Sequence, residues 1–277
     1  MRLGGPVDTK GLDPEGWAKA ARAQGYGAVY APVGDAKDES IVAKYREAAA
    51  KADLVIAEVG AWSNPLSPDA AKAKEGLERN IAGLALADLL GARCCVNIVG
   101  SRSLQWDGPH PDNLTPATFD LIVETARKII DAVKPTRTFY TLETMPFMFP
   151  DSADSYLQLL KAIDRPRFAV HLDPVNLICS PQRYYGSAAL IKECFAKLGP
   201  QIKSCHAKDI ILRPILTTHL DEVPIGQGGL DYGAYLSELS KLDPSTPLMM
   251  EHMKMEEYPP SAEHLRKVAR EKGLSFA

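Results

Sequence analysis

A chain of 277 residues with 45% apolar and 24% charged residues, 20 glycines and 21 prolines has a globular composition, neither disordered nor collagen-like. Thirty-two basic against 35 acidic residues give a formal charge of −3, without the long basic stripe that binding a phosphate backbone needs, and no apolar run nears the ~20 residues that span a bilayer. The expectation is a soluble, cytoplasmic protein with neither nucleic acid nor membrane as partner. Five cysteines, lying mostly in apolar segments and without C-x-x-C, read as buried, reduced thiols.

Short β-like apolar runs alternate along the chain with stretches of helical periodicity. Leu3 to Val7 precedes a helix expected from Asp13-Pro14, Ala28 to Pro32 one from Asp38, and Leu54 to Val59 a long one from Ser67-Pro68 to Leu90, closed by Gly91. Cys94 to Val99 leads to a start at Thr115-Pro116, Thr138 to Met145 to one at Ser152, and Phe168 to Asp173 to one at Ser187. Ile202 to Lys208 leads to Asp231, and Leu248 to Met253 to Ser261. Ser, Thr or Asp at each start can accept from an unpaired first-turn N–H, and Pro at a first helical position forfeits a donor that has no partner anyway. Strands separated by crossover helices imply a parallel sheet, and eight such units with no linker between them predict one α/β domain over residues 1–277, a closed (β/α)8 barrel. The rival, an open Rossmann-like sheet, is disfavoured because the first βα junction, GGPVDTKG, lacks G-x-G-x-x-G.

In such a barrel chemistry belongs at the C-terminal ends of the strands. Four late strands end in potential ligands: Glu143, Asp173, His206 and Glu251. Period-two alternation places His171 on the face of Asp173, and Ser204 and Lys208 on the face of His206. Singly, each acid reads as a helix cap or an ion-pair partner. Together, buried in phase, they would repel one another without a cation, and two glutamates, an aspartate and one imidazole suit Mn²⁺, Mg²⁺ or Co²⁺ better than a thiolate-rich zinc site. His171 reads equally as a core histidine or as one contacting substrate or ligand. His252 has the wrong parity, and His110, His219 and His264 read as surface residues. At or just past strands three and four, Glu58, Trp62, Asn97, Arg102 and Trp106 are candidates for the mouth, since sugar rings pack on indole faces and Asn or Glu recognises hydroxyls. Tyr184 and Tyr185 are candidates for a pocket wall or an oligomer contact.

Leu142-Glu143, His171-Leu-Asp173-Pro-Val-Asn176, His206-Ala-Lys208-Asp209, Met250-Glu251 and the glycine-rich Pro224-to-Asp231 segment resemble the xylose-isomerase-like superfamily of sugar (phosphate) isomerases and epimerases, over nearly the whole chain. The resemblance implies one divalent ion, manganese first and magnesium or cobalt otherwise, held by Glu143, Asp173, His206 and Glu251. It also implies proton exchange by Glu143 and Glu251 through a metal-stabilised enediolate of a keto-sugar or sugar derivative. Asn176 and Phe149 depart from the ketohexose 3-epimerase pattern, which has a histidine and a second glutamate there. Asn176 is then a substrate-binding candidate in its own right, as is Arg213, one position off the epimerase arginine. Lys208 is a candidate acid or base. The alternative activity is a metal-dependent lyase or dehydratase of a keto-sugar, keto-glycoside or inosose, by β-elimination from the same enolate. A nucleic-acid repair enzyme of the same superfamily needs a larger histidine set, and a non-catalytic sugar-binding barrel would not need the acids. A homo-oligomer remains compatible with all of these readings.

Overall fold

The computed structural model describes all 277 residues. Eight parallel strands, β1 (Arg2–Gly5), β2 (Ala28–Tyr30), β3 (Val55–Gly60), β4 (Cys94–Asn97), β5 (Tyr140–Glu143), β6 (Phe168–Leu172), β7 (Ile202–Ala207) and β10 (Pro247–Met250), close into a barrel in the order β1-β10-β7-β6-β5-β4-β3-β2. Each lies inside or within a residue of its expected run, and most stop short at the C-terminal end, where the chain leaves the ladder to carry site residues. In this order β3 and β7 face each other across the barrel, as do β2 and β6.

The helices between the strands are α1 (Pro14–Ala23), α2 (Glu39–Lys51), α3 (Ala70–Leu90), α4 (Pro116–Val133), α5 (Ala153–Ile163), α6 (Pro181–Tyr185), α7 (Ser187–Leu198), α8 (Tyr232–Leu239) and α9 (Tyr258–Glu271). Asp13, Asp38, Thr115, Ser152 and Asp231 cap their helices as expected, each accepting from a first-turn N–H. Three starts differ. The cap of α3 is Asp69, whose Oδ1 accepts from the N–H groups of Ala71 and Lys72, while Ser67 supports the turn before it. The short α6, capped by Ser180, precedes α7, so Ser187 lies within the first turn and its hydroxyl accepts instead from the Asp231 N–H. The last helix begins three residues early at Tyr258, with Pro259 and Pro260 in its first turn, where lacking an N–H costs nothing. Gly91 ends α3 with φ 68°, the left-handed conformation that glycine adopts without a Cβ clash.

The main apolar core of 61 buried residues fills the layer between barrel and helices. Inside the barrel the space is tight: a Cβ on Gly4 would come within 2.5 Å of both the Ala28 carbonyl oxygen and the Met249 sulfur. The Tyr156 hydroxyl of α5 donates to the Leu142 carbonyl at 2.6 Å and accepts from the N–H groups of Leu142 and His171, tying β5 to β6 just below Glu143. Four cysteines are buried and free, as expected, whereas Cys179 is exposed.

One element was not anticipated. After β7 the chain forms an antiparallel hairpin, β8 (Asp209–Arg213) with β9 (His219–Val223), outside the barrel. Asp209 is its anchor: 1% exposed, its carboxylate accepts from the N–H groups of Gly226, Gly228 and Leu230 in the glycine-rich segment.

Candidate active site

Glu143 ends β5, Asp173 lies one residue past β6, His206 is next to last in β7, and Glu251 lies one residue past β10. These are four consecutive strands of the barrel wall, so the four side chains form an arc. Each offers one ligand atom, all within 4.8 Å of one another. His206 Nδ1 lies 2.9 Å from Glu251 Oε1, 3.2 Å from Glu143 Oε1 and 3.9 Å from Asp173 Oδ2. Exposure rises from 0% at the His206 and Asp173 side chains to 15% at Glu251, so the arc opens toward solvent on the β10 side.

Lys208, one residue past β7 and 3% exposed, reaches the same acids: its Nζ is 2.7 Å from Asp173 Oδ2, 3.0 Å from Glu251 Oε1 and 3.8 Å from Glu143 Oε1. Four carboxylates, Glu58, Glu143, Asp173 and Glu251, thus surround two potential cations, His206 and Lys208. Burial disfavours the His206 cation, but Glu251, Glu58 and Glu143 outweigh it and raise its pKa well above the ordinary value. Burial likewise opposes charge on Lys208, and Asp173, Glu251 and Glu143 overcome it, raising that pKa too. The two glutamates part company. Burial pushes Glu143 up to about 7, while Glu251, also disfavoured by burial, is held well below its usual range by His206 and Lys208.

Asp173 Oδ2 and Glu251 Oε1 are buried yet receive no aligned hydrogen bond, although cationic nitrogens stand at ion-pair distance. Unsaturated carboxylate oxygens beside one imidazole make a hard donor set, and the residues present fit a divalent cation.

The remaining expected residues distribute unevenly. Asn176 belongs to the arc: its Nδ2 donates to Glu143 Oε1 at 3.0 Å and its Oδ1 accepts from Lys208 Nζ at 3.2 Å, so it orients a glutamate and the lysine together. Trp62 is half-buried with its ring 6.5 Å from that of His206, at the mouth. His171 is fully buried, its ring edge-on to His206 at 4.1 Å, inside the barrel. Glu58, expected to recognise hydroxyls, is instead 2% exposed, and its carboxylate is engaged by His206 and Ser204. Asn97 is fully buried and uses Oδ1 to accept from the Ser63 N–H and Nδ2 to donate to the Ser63 carbonyl, bracing the loop after β3. Arg102 donates to the Leu66 carbonyl, and Trp106 is 39% exposed on the loop after β4. Arg213 lies on the exposed hairpin and pairs with Asp221 at 2.9 Å, away from the arc, because the chain turns outward after Lys208. Phe149 packs edge-on against Phe119, and Tyr184 against Tyr185, which is 79% exposed.

Sequence reasoning missed Glu222. The hairpin brings it to the rim, with Oε1 3.5 Å from Lys208 Nζ and Oε2 2.9 Å from His252 Nδ1. Nothing in the local pattern marks it, since only the hairpin fold returns β9 to the mouth.

Solved structures share this architecture at low identity. A D-tagatose 3-epimerase-like protein superposes with TM-score 0.72 at 18% identity, covering 99% of this chain and 98% of that one. The probable 3-DHS dehydratase of petrobactin synthesis from Bacillus anthracis gives 0.71 at 16%, covering 96% and 98%. Endonuclease IV from Thermus thermophilus gives 0.73 at 14%, covering 98% and 100%. At such identities the likeness establishes the fold alone, and the three activities differ. No curated protein matches the sequence. A family model described as a xylose isomerase-like TIM barrel matches residues 18–270, and with the barrel and the four-strand arc in hand, the chain belongs to the xylose isomerase-like TIM barrel family.

Proposed function

We propose that this protein is a divalent-metal-dependent isomerase or epimerase of a small keto-sugar or sugar derivative. The observation that carries the reading is the arc itself, in which Glu143 and Glu251 flank Asp173 and His206 at one barrel mouth. Glu143, Asp173, His206 and Glu251 would hold the ion, manganese before magnesium or cobalt. When bound, a divalent ion in this position supplies Lewis-acid polarisation of a carbonyl and its neighbouring hydroxyl, easing loss of the proton between them.

The chain's own residues do the rest. One flanking glutamate removes the proton from the carbon beside the carbonyl, and the other returns one to the opposite face or to the neighbouring carbon. Asn176 fixes the Glu143 carboxylate through its amide, and Lys208 holds Glu251 and Asp173, so neither acid has to reorganise as charge develops. The half-buried Trp62 offers an apolar face to a sugar ring beside the ligands.

A second reading is favoured by one observation. The Lys208 ammonium sits among the acids at 2.7 Å and 3.0 Å, placed to protonate a departing hydroxyl, which would make the reaction a β-elimination. Both readings begin with the same proton abstraction. Incubating the manganese-loaded protein with 3-keto-glycosides, inososes and ketohexoses in D₂O and following them by NMR separates the two. Deuterium gained at the carbon beside the carbonyl with every oxygen retained is expected; loss of an oxygen substituent supports the lyase, and no exchange with any of these substrate classes overturns both.

A further inference from the structure

Glu58 is the one carboxylate around His206 that lies outside the arc. It projects from β3, directly across the barrel from β7, and spans the interior to reach the far side of the imidazole. Its Oε1 is 3.1 Å from His206 Nε2, whereas the arc acids approach Nδ1. Its Oε2 accepts from the Ser204 hydroxyl at 3.0 Å and lies 3.5 Å from His171 Nδ1. Ser204 is two residues before His206 on the same face of β7, so one strand presents both the imidazole and the hydroxyl that aims the carboxylate. With side chains 2% exposed for Glu58 and 0% for both histidines, this layer is closed to solvent.

We infer that Glu58 is a positioning residue for His206, acting through the imidazole and touching neither ion nor substrate. This rests on the reading of the arc as a metal centre. An ionised carboxylate can only accept hydrogen bonds, so its contact fixes a proton on Nε2, and Nδ1 is the nitrogen whose proton an ion bound in the arc would displace and whose lone pair it would take. It also makes the imidazole a stronger donor, the usual effect of a carboxylate behind a metal-ligating histidine. The edge-on ring of His171 at 4.1 Å holds the imidazole plane, and the Tyr235 hydroxyl donates to the His206 carbonyl at 2.8 Å, so ring and backbone are both pinned. Glu58 thus exchanges the hydroxyl-recognition role expected from sequence for one in tuning a ligand.

Glu58, His171 and His206 also bring ligand atoms within 4.8 Å of one another, so the competing assignment is a second ion beneath the first. That would require Nε2 to give up its proton and His206 to bridge two ions, and stoichiometry decides between the two. The test is calorimetric titration of the metal-free protein with Mn²⁺, alongside the absorption spectrum of its Co²⁺ form, for wild type, Glu58→Gln and Ser204→Ala. Wild type is expected to bind one ion per chain. Glu58→Gln should keep that stoichiometry, bind about 10- to 100-fold more weakly and shift the Co²⁺ ligand-field bands, because the imidazole has become a poorer donor. Ser204→Ala, which keeps the acid and loosens its aim, should weaken binding about several-fold, and it carries the test if Glu58→Gln does not fold. A merely structural Glu58 would lower the melting temperature without moving affinity or spectrum. One ion bound with wild-type affinity and spectrum in the folded variants overturns the role of Glu58 and leaves the metal centre standing. Two ions per chain would make Glu58 a ligand and overturn it as well. A wild type that binds no Mn²⁺ overturns the metal centre itself.

Discussion

Glu143 and Glu251 share one imidazole nitrogen but sit in different surroundings. Glu143 is nearly closed off and receives the Asn176 amide, whereas Glu251 faces the opening and the lysine. On the proposed function, replacing either by Gln keeps the volume and removes the negative charge and the proton-carrying carboxylate, so kcat is expected to fall by about 10²- to 10⁴-fold, the usual worth of a positioned acid or base. Circular dichroism should remain that of the parent barrel. A variant retaining full turnover would remove that glutamate from the chemistry. Asn176→Ala is a finer probe, because it leaves every ligand in place and frees Glu143 and Lys208 from their shared amide. Its loss should fall mainly on kcat, with smaller change in metal affinity, as measured by steady-state kinetics and Mn²⁺ titration.

Among the elements, the long α3 does more than cover β3 and β4. Asp88 in its last turn accepts from the N–H groups of Thr136, Arg137 and Thr138, ordering the approach to β5, the strand that ends in Glu143. Partial burial works against its charge, but these donors win and hold its carboxyl below the ordinary value of 3.8. A lowered folded pKa means that the contribution is complete above the unfolded value and is lost as pH falls through the folded one. Urea unfolding should therefore show Asp88→Asn less stable than wild type by about 1–2 kcal/mol at pH 7, with the gap closing below pH ~4. A gap independent of pH would show that ionisation of Asp88 contributes nothing. The β8–β9 hairpin is the other element with a consequence at the site, since it turns Arg213 outward to Asp221 and returns Glu222 to Lys208 and His252.

For the molecule as a whole, a cluster of buried acids is a stability liability that a cation relieves. An ion that binds the folded chain and not the unfolded one adds RT ln(1 + [L]/Kd), about 2.7 kcal/mol at a hundred times Kd. For a domain of this size that corresponds to a melting temperature raised by roughly 4–10 °C on adding Mn²⁺ to chelator-treated protein, measurable by calorimetry. Unchanged melting at saturating Mn²⁺ would contradict an ion bound in the arc. No helix is long and apolar enough to cross a membrane.

Much of this architecture was legible in local patterns. The eight strands, most of the helix caps and the strand-end positions of Glu143, Asp173, His206 and Glu251 follow from period-two alternation, hydrogen-bonding residues at helix starts and the repeat itself, all of which act within a few residues. The fate of Glu58 and Asn97 did not follow, because both side chains are spent on partners 148 and 34 residues away, one across the barrel and one in a neighbouring loop. Glu222 was missed, and Arg213 was placed only by its offset from His206, for a related reason: a hairpin inserted after β7 reverses the chain, so distance along the sequence no longer says what reaches the mouth. The sequence by itself determined the barrel and the strand-end positions of Glu143, Asp173, His206 and Glu251, since periodicity is a local property of the chain. Only the tertiary structure decided which polar groups meet, because burial forces each to find a partner from whatever the closed barrel brings opposite it.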